Sequence, residues 1–296
     1  MSQQEPYEQA SNSISSHYTL AWKSLSANWR VLLIAHGVNF LLVLLAVRPF
    51  NKLVSATVGN SYFHDRVAGP FSYTLLTDFI NNHGEAIRAS LSMIITMILP
   101  FLLWSVFCNG GYMRLSKDHS QSAPLTEFWK GGAMYFFRFL RLSIYLFIVL
   151  AMLGSVCFVI FSAGGLNPMT LDSENGLIRK FYIASTLFGL LYFLVSIYKE
   201  LAKAQISIHS EQRLIHKSLL KSVGRIFTFQ SLLLGLLNLL VLVLVGLLYF
   251  GLKKLFGGVV IATIIVSQLF LVFRMATRYV KQASFAYQEN SQVSKV

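Results

Sequence analysis

The chain of 296 residues is 55% hydrophobic and only 12% charged, with a formal net charge of +13. Because soluble domains carry about 25% charged residues, this composition excludes an ordinary soluble fold. The basic excess would suit a nucleic-acid partner, but no segment between the apolar runs is long enough to form a soluble basic module. No nucleic acid is therefore expected as a partner.

Six stretches of 17 or more residues contain no Asp, Glu, Lys or Arg. A charged side chain at the centre of an inserting helix costs about 2.5 to 3.5 kcal/mol, and about 20 apolar residues cross the hydrocarbon core. The sequence therefore predicts an all-α fold, a polytopic transmembrane helical bundle that forms a single membrane domain over residues 1–296. The six predicted spans are residues 29–47, 89–108, 142–163, 181–198, 227–252 and 258–273.

A polar segment precedes the first span. It contains no apolar stretch of the kind that a cleavable signal peptide requires, so the first span is expected to remain as a membrane anchor. Residues 1–13 are predicted to be a flexible tail, as are residues 282–296 at the other end. Residues 14–29 carry Trp22 and Trp29 among Ser and Lys, which predicts a short helix in the membrane interface.

Residues 48–87 form the largest outer segment. Apolar residues recur at helical spacing from Phe71 to Ile80, which predicts an amphipathic helix on the outer surface. Histidine and acidic residues also occur here, but none of the spacings typical of zinc sites is present, so no metal site is predicted. These residues are His64, Asp65, His83 and Glu85.

Two turns are predicted at glycine-rich positions farther along the chain. Gly110-Gly111 is expected to turn the chain after the second span. The aromatic-rich helix from Trp129 to Arg141 is then expected to lie at the headgroup level. Lys253 and Lys254 are expected in a tight turn between the last two spans.

The polar stretch from Lys199 to Arg225 has the clearest helical pattern. Basic residues recur there at intervals of four beside an apolar stripe, which predicts a helix on an anionic membrane surface. Glu200 is expected to form an ion pair with Lys203 or Lys199. The basic residues of the stripe are Arg213, Lys217, Lys221 and Arg225.

The distribution of positive charge predicts the topology. If the N-terminus is inside, the inner segments hold 17 of the 25 Lys and Arg residues. Short basic loops stay in the cytoplasm, so both termini are predicted to be cytoplasmic. The expected partners are the lipid bilayer, its anionic headgroups and other membrane proteins.

Polar side chains inside the spans are candidates for a functional site, because burying them in hydrocarbon is unfavourable. One hypothesis is a cavity that binds a substrate, a lipid headgroup or a proton. The alternative is hydrogen bonding between helices, at about 0.6 kcal/mol per bond. No predicted span carries a buried carboxylate or lysine, which favours the alternative. The candidate residues are His36, Asn39, Asn238 and Gln268.

Four groups of residues follow one another along most of the chain. They are Ala21-Trp22-Lys23 with Trp29-Arg30, Asn109-Gly110-Gly111-Tyr112, Glu127-Phe128-Trp129 with Arg138-Phe139-Leu140-Arg141, and the segment from Lys199 to Arg225. Together with six spans, this order resembles that of uncharacterised bacterial six-span inner-membrane proteins. The resemblance implies a location in the bacterial cytoplasmic membrane and assigns no activity.

The sequence contains no phosphate-binding Gly-rich loop, no GxSxG elbow and no HExxH motif. It therefore predicts no catalytic residue and no cofactor, and an enzyme is disfavoured. The favoured function is a non-enzymatic accessory subunit or a lipid-interacting scaffold. The alternative is a small transporter or permease with a cavity near the four polar candidates.

Overall fold

The computed structural model describes residues 14–58, 81, 84–116, 123–163, 174–208, 215–256 and 260–293. These residues form eight α helices and no β strand, which confirms the all-α prediction for the described ranges. In chain order the helices are α1 (Ile14–Ala27), α2 (Trp29–Val58), α3 (Gly84–Leu115), α4 (Pro124–Ala163), α5 (Glu174–Ile208), α6 (Ile215–Ile226), α7 (Phe229–Phe256) and α8 (Val260–Val293).

Six of these helices are long and apolar enough to cross a membrane, which confirms the number and order of the predicted spans. The other two, α1 and α6, have 14 and 12 residues. Most of the apolar segments in these six helices extend beyond the ends of the spans that the sequence predicts. They are Trp29–Arg48, Leu91–Leu115, Pro124–Val159, Tyr182–Ile208, Phe229–Leu255 and Ala262–Ser291.

Helix α4 shows why these segments are longer than the predicted spans. Its 40 residues reach about 60 Å at 1.5 Å per residue, twice the roughly 30 Å of bilayer hydrocarbon. In its C-terminal half, Phe147 and Phe158 are 73% and 67% exposed, as contact with lipid requires. In its N-terminal half, Phe128 and Phe139 are each 1% exposed, so that half packs against protein.

The chain divides into two compact units. The first unit is residues 33–105, and the second unit combines residues 1–32 with residues 106–296. The first unit contains most of α2 and most of α3, with Pro100 inside the α3 helix. Its large apolar side chains include Leu41 and Ile95, which are 59% and 66% exposed.

The second unit contains a hydrophobic core built at the ends of its helices. Helix α8 packs against α1, α5 and α7, and α5 also packs against α4 and α6. One cluster of the core joins Phe139 of α4 to Ala202 of α5. The other joins Leu201 of α5 to Leu234 of α7 and Phe285 of α8. The long helices therefore pack together beyond their exposed apolar segments.

Two pairs of adjacent glycines let α3 and α4 cross at close range. Gly110 and Gly111 lie inside α3, so the turn predicted there is wrong. A Cβ atom on Gly110 would lie 2.8 Å from the carbonyl oxygen of Gly131, and one on Gly132 would lie 2.3 Å from the Phe107 ring. Such distances are too short for a real Cβ contact, so these positions need glycine for the close approach.

The predicted connections differ from the structure at other places. Helix α2 continues to Val58, past the predicted end of the first span. Lys253 and Lys254 form the last turn of α7 instead of a separate turn, where cations stabilise the negative end of the helix dipole. The predicted outer helix at residues 71–80 and the predicted tail at residues 1–13 lie outside the described residues.

We predict that Gly131→Ala destabilises the second unit. The new Cβ would lie 2.3 Å from the Cβ of Arg114 and 2.8 Å from the carbonyl oxygen of Gly110. Overpacking costs about 1 to 3 kcal/mol, and atoms fixed by the backbone cannot rotate away. The measurement is the midpoint of thermal unfolding of the purified protein in detergent.

Gly189→Ala on α5 is the matched control for this prediction. Nothing lies within 4 Å of the Cβ position at Gly189, and alanine favours helix more than glycine does. The control should therefore keep or raise the midpoint. A midpoint for Gly131→Ala that equals that of the control would contradict the close crossing of α3 and α4.

Candidate functional site

The C-terminal half of α8 is both polar and buried. The sequence predicts a flexible tail from residue 282, but α8 continues to Val293, so that prediction is wrong for the described residues. Gln282, Gln288 and Glu289 are each 1% exposed or less. Buried polar side chains need hydrogen-bond partners, and α8 finds them on α1, α3, α5, α6 and α7.

Asn109 of α3 connects α8 to α5. Its side-chain Oδ1 accepts hydrogen bonds from Arg278 Nη2 at 2.8 Å and from Lys203 Nζ at 3.3 Å. Its backbone carbonyl oxygen accepts a third hydrogen bond from Gln282 Nε2 at 2.6 Å. Asn109 is itself 3% exposed, so one buried residue holds three helices together.

Glu200 and Lys203 form a buried ion pair within α5. Lys203 Nζ lies 3.1 Å from Glu200 Oε1 and 3.0 Å from Oε2. The side chains of Lys203 and Glu200 are 3% and 7% exposed. The prediction that Glu200 pairs with a neighbouring lysine is confirmed, with Lys203 as the partner.

Further basic side chains lie around this ion pair. Three lysines interact electrostatically with the Glu200 carboxylate, and Arg278 repels two of them. Three lysines and one arginine therefore surround one carboxylate. We call this group the Glu200 cluster, and its members are Asn109, Lys199, Glu200, Lys203, Arg278, Lys281 and Gln282.

Further polar contacts attach the same part of α8 to its neighbours. They reach α1, α5, α6 and α7, so that the buried polar side chains of α8 bind several helices at once. The contacts are Gln205 and Arg225 donating to Glu289, Gln288 donating to Ser231 at 3.0 Å, Lys281 donating to Ser196 at 2.5 Å, and a 2.6 Å hydrogen bond between Ser24 and Tyr279.

The four polar residues predicted inside the spans lie on three helices. His36 and Asn39 are half-buried on α2, one turn apart, in the first unit. Asn238 is buried on α7, where its amide donates to the Leu234 carbonyl of the same helix at 2.8 Å. Gln268 is half-buried on α8. A cavity shared by these residues stays a prediction.

The structure describes two side chains of the predicted basic stripe. Lys221 is exposed on α6, and Arg225 donates to the buried carboxylate of Glu289. Lys217 belongs to α6, whereas Arg213 lies outside the described residues. Arg225 therefore binds α8, and the membrane-surface stripe stays a prediction.

Among the described residues, no group of three or more His, Cys, Asp and Glu side chains could hold a metal ion. Glu85, one of the residues considered for an outer metal site, is exposed on α3. The other residues considered lie outside the described ranges, and they are His64, Asp65 and His83.

No protein-family model, curated protein or solved structure matches this chain. The resemblance to bacterial six-span inner-membrane proteins therefore stays a prediction from the motifs. The function of the Glu200 cluster has to be inferred from its own charges and contacts.

We predict that removing the charge of Glu200 destabilises the protein more than removing the charge of Lys203. Glu200→Gln leaves the buried Lys203 without its carboxylate partner, and breaking a buried ion pair costs about 3 to 5 kcal/mol. Lys203→Met leaves Glu200 with the other cations of the cluster and fills the space with an apolar chain. The free energy of unfolding in detergent, from a denaturant titration, checks this order.

Glu127→Gln is the matched control. Glu127 also pairs with two basic side chains, Lys130 and Arg114, but these are 62% and 37% exposed. Exposed pairs contribute about 0 to 1 kcal/mol, so the control should lose little stability. A loss for Lys203→Met as large as that for Glu200→Gln would show that the other basic residues of the cluster do not stabilise Glu200.

Proposed function

We propose that this chain is a six-span protein of the bacterial cytoplasmic membrane with both termini in the cytoplasm. In this proposal it is a non-enzymatic, lipid-interacting scaffold or accessory subunit. The observation that carries the proposal is a set of exposed tryptophan and basic side chains next to lipid-exposed apolar helices.

Three tryptophans of the second unit are exposed, and each is followed in the sequence by an exposed basic residue. Trp29 is 53% exposed, and the guanidinium carbon of Arg30 lies 5.8 Å from its ring centroid, a cation–π contact. Trp favours the headgroup level because its ring is apolar and its N–H is polar. The pairs are Trp22–Lys23, Trp29–Arg30 and Trp129–Lys130.

The short helix α6 also supports contact with lipid headgroups. Leu220 and Val223 are 74% and 47% exposed, and Lys221 is exposed between them. A helix that presents apolar and basic side chains together suits the interface of an anionic membrane. This arrangement supports α6 as an interfacial helix.

Two observations support a cytoplasmic location for both termini. The inner segments of the predicted topology hold 17 of the 25 Lys and Arg residues. The hydrogen bond between Ser24 and Tyr279 brings α1 against the C-terminal half of α8. This contact is expected if both ends of the chain lie on one side of the membrane.

A small transporter or permease is the alternative function, with a cavity near His36, Asn39, Asn238 and Gln268. The amide of Asn238 bonds within its own helix, which is how an isolated polar side chain can be satisfied in hydrocarbon. Such a bond needs no cavity. We therefore favour the scaffold.

We predict that anionic lipid stabilises the protein through the basic residues beside the exposed tryptophans. Each Lys or Arg near an anionic surface contributes about 1 kcal/mol, so the triple variant Lys23→Gln/Arg30→Gln/Lys130→Gln should lose most of the stabilisation. The measurement compares thermal midpoints in phosphatidylcholine nanodiscs with and without phosphatidylglycerol.

A charge-preserving triple variant, Lys23→Arg/Arg30→Lys/Lys130→Arg, is the matched control and should behave like the wild type. High salt should reduce the effect of phosphatidylglycerol on the wild type, because these charges are screened in water. If the neutral and charge-preserving variants responded equally to phosphatidylglycerol, the lipid-interacting surface would lie elsewhere.

We predict that both ends of the chain are labelled from the same face of sealed membrane vesicles. Single cysteines at Ser2→Cys and at Ser294→Cys, with Cys108 and Cys157 replaced by alanine, would report the two termini. A membrane-impermeant maleimide should label both in inverted vesicles and neither in right-side-out vesicles. Lys254→Cys should show the opposite pattern, and labelling of the two termini from opposite faces would rule out the topology.

A further inference from the structure

One face of the short helix α6 is buried against the second unit. At about 100° per residue, Leu219, Ser222 and Ile226 share this face. Ser222 and Ile226 are 0% and 9% exposed. Leu219 packs against one cluster of the hydrophobic core, and Ile226 belongs to the other. These contacts fix the rotation of α6 about its own axis, and with it the direction of the remaining side chains.

A second face of α6 is apolar and exposed. Leu220 and Val223 lie on it, and Phe227, directly after the helix, continues it two turns from Leu220. The three side chains are 74%, 47% and 69% exposed. We call Leu220, Val223 and Phe227 the α6 stripe. The described part of the chain leaves this stripe open, and contiguous exposed apolar surface is typical of a site of interaction.

The third face of α6 is basic. Lys221 is exposed about 100° around the helix from Leu220, on the side away from Val223. Arg225, one turn after Lys221, is half-buried and donates to the Glu289 carboxylate of α8. The helix therefore presents protein contacts, apolar side chains and basic side chains in three different directions.

The α6 stripe leads directly into an exposed apolar face of α7. Phe229 begins α7 two residues after Phe227, and it is 76% exposed. Leu233 and Leu236 follow on the same face of α7 and are also exposed. The apolar segment of α7 that could cross a membrane starts at Phe229 itself. Whatever covers the start of α7 therefore also lies beside the α6 stripe.

We infer that the α6 stripe inserts among the lipid acyl chains of the leaflet at which α7 begins, with Lys221 at the level of the headgroups. The inference rests on the proposed function in taking α7 as a membrane span. It goes beyond headgroup contact, because it places three apolar side chains of α6 below the headgroups.

The three faces of α6 suit lipid better than a protein partner. A helix in the membrane interface buries its apolar face about 5 to 10 Å into the boundary between headgroups and acyl chains, while its basic side chains meet anionic headgroups. The stripe and Lys221 provide these two faces, and the buried face binds the protein alongside. A protein that covered the stripe would have to displace lipid from the adjoining start of α7.

Lipid quenching of a fluorescent probe tests this inference in the full-length protein. Single cysteines at Leu220→Cys and Lys221→Cys, with Cys108 and Cys157 replaced by alanine, would carry a bimane probe. The nanodiscs contain phosphatidylcholine and phosphatidylglycerol, with a nitroxide either in the upper part of an acyl chain or on the headgroup. The acyl-chain nitroxide should quench the Leu220 probe at least about twofold more than the headgroup nitroxide does, and the Lys221 probe should show the reverse order.

Phe227→Cys repeats the measurement at the other end of the α6 stripe and should behave like Leu220→Cys. It keeps the test valid if Leu220→Cys fails to fold. Equal quenching profiles at Lys221 and at the two stripe positions would overturn the inference, because α6 would then present no particular face to the lipid.

Leu240→Cys is the reference that separates this inference from the proposed function. Leu240 is 52% exposed within the apolar segment of α7, so the acyl-chain nitroxide should quench its probe. Quenching at Leu240 without acyl-chain quenching at the stripe would overturn the inference and leave the membrane-spanning scaffold standing. Absence of acyl-chain quenching at both places would overturn the inference and the proposed function together.

Discussion

Polar contacts from the C-terminal half of α8 hold the other helices of the second unit together, and the rest of that unit depends on them. The six long apolar helices expose large apolar side chains, and lipid tails would be as apolar as these side chains are. The hydrophobic effect therefore gives these helices little reason to associate within the bilayer. Close glycine contacts at Gly110 and Gly131, and buried hydrogen bonds to Asn109 and Glu289, provide the missing specificity at the helix ends.

This arrangement places cations on two kinds of surface. Lys23, Arg30 and Lys130 are exposed beside tryptophans, where they can meet lipid headgroups from outside. The basic side chains of the Glu200 cluster are buried or half-buried, and Lys203 of α5 and Arg278 of α8 both donate to Asn109 of α3. The exposed cations therefore suit the proposed lipid contacts, whereas the buried ones connect helices.

The number and order of the helices can be predicted from the sequence, because the cost of a charge in hydrocarbon outweighs local preferences. The positions of the helix ends cannot be predicted from the sequence. Helix α8, for example, continues past its apolar segment into polar residues that are buried by other helices. The adjacent glycines Gly110 and Gly111 are compatible with a turn or with a close helix crossing. Only tertiary contacts determine which of the two structures forms. The Glu200–Lys203 pair is predictable from its spacing. The role of Arg278 and Gln282 is not, because it depends on their contact with Asn109, a residue distant in the sequence.

Hydrogen exchange measured by mass spectrometry in nanodiscs tests the central claim most directly, since it reports whether the polar end of α8 is packed. Packed helical segments open rarely and exchange slowly, whereas a free tail exchanges at once. If the polar end of α8 is packed, a peptide covering residues 276–289 should exchange as slowly as one from the apolar part of α7, residues 233–245. Complete exchange of residues 276–289 at the earliest time point, with α7 still protected, would contradict the account.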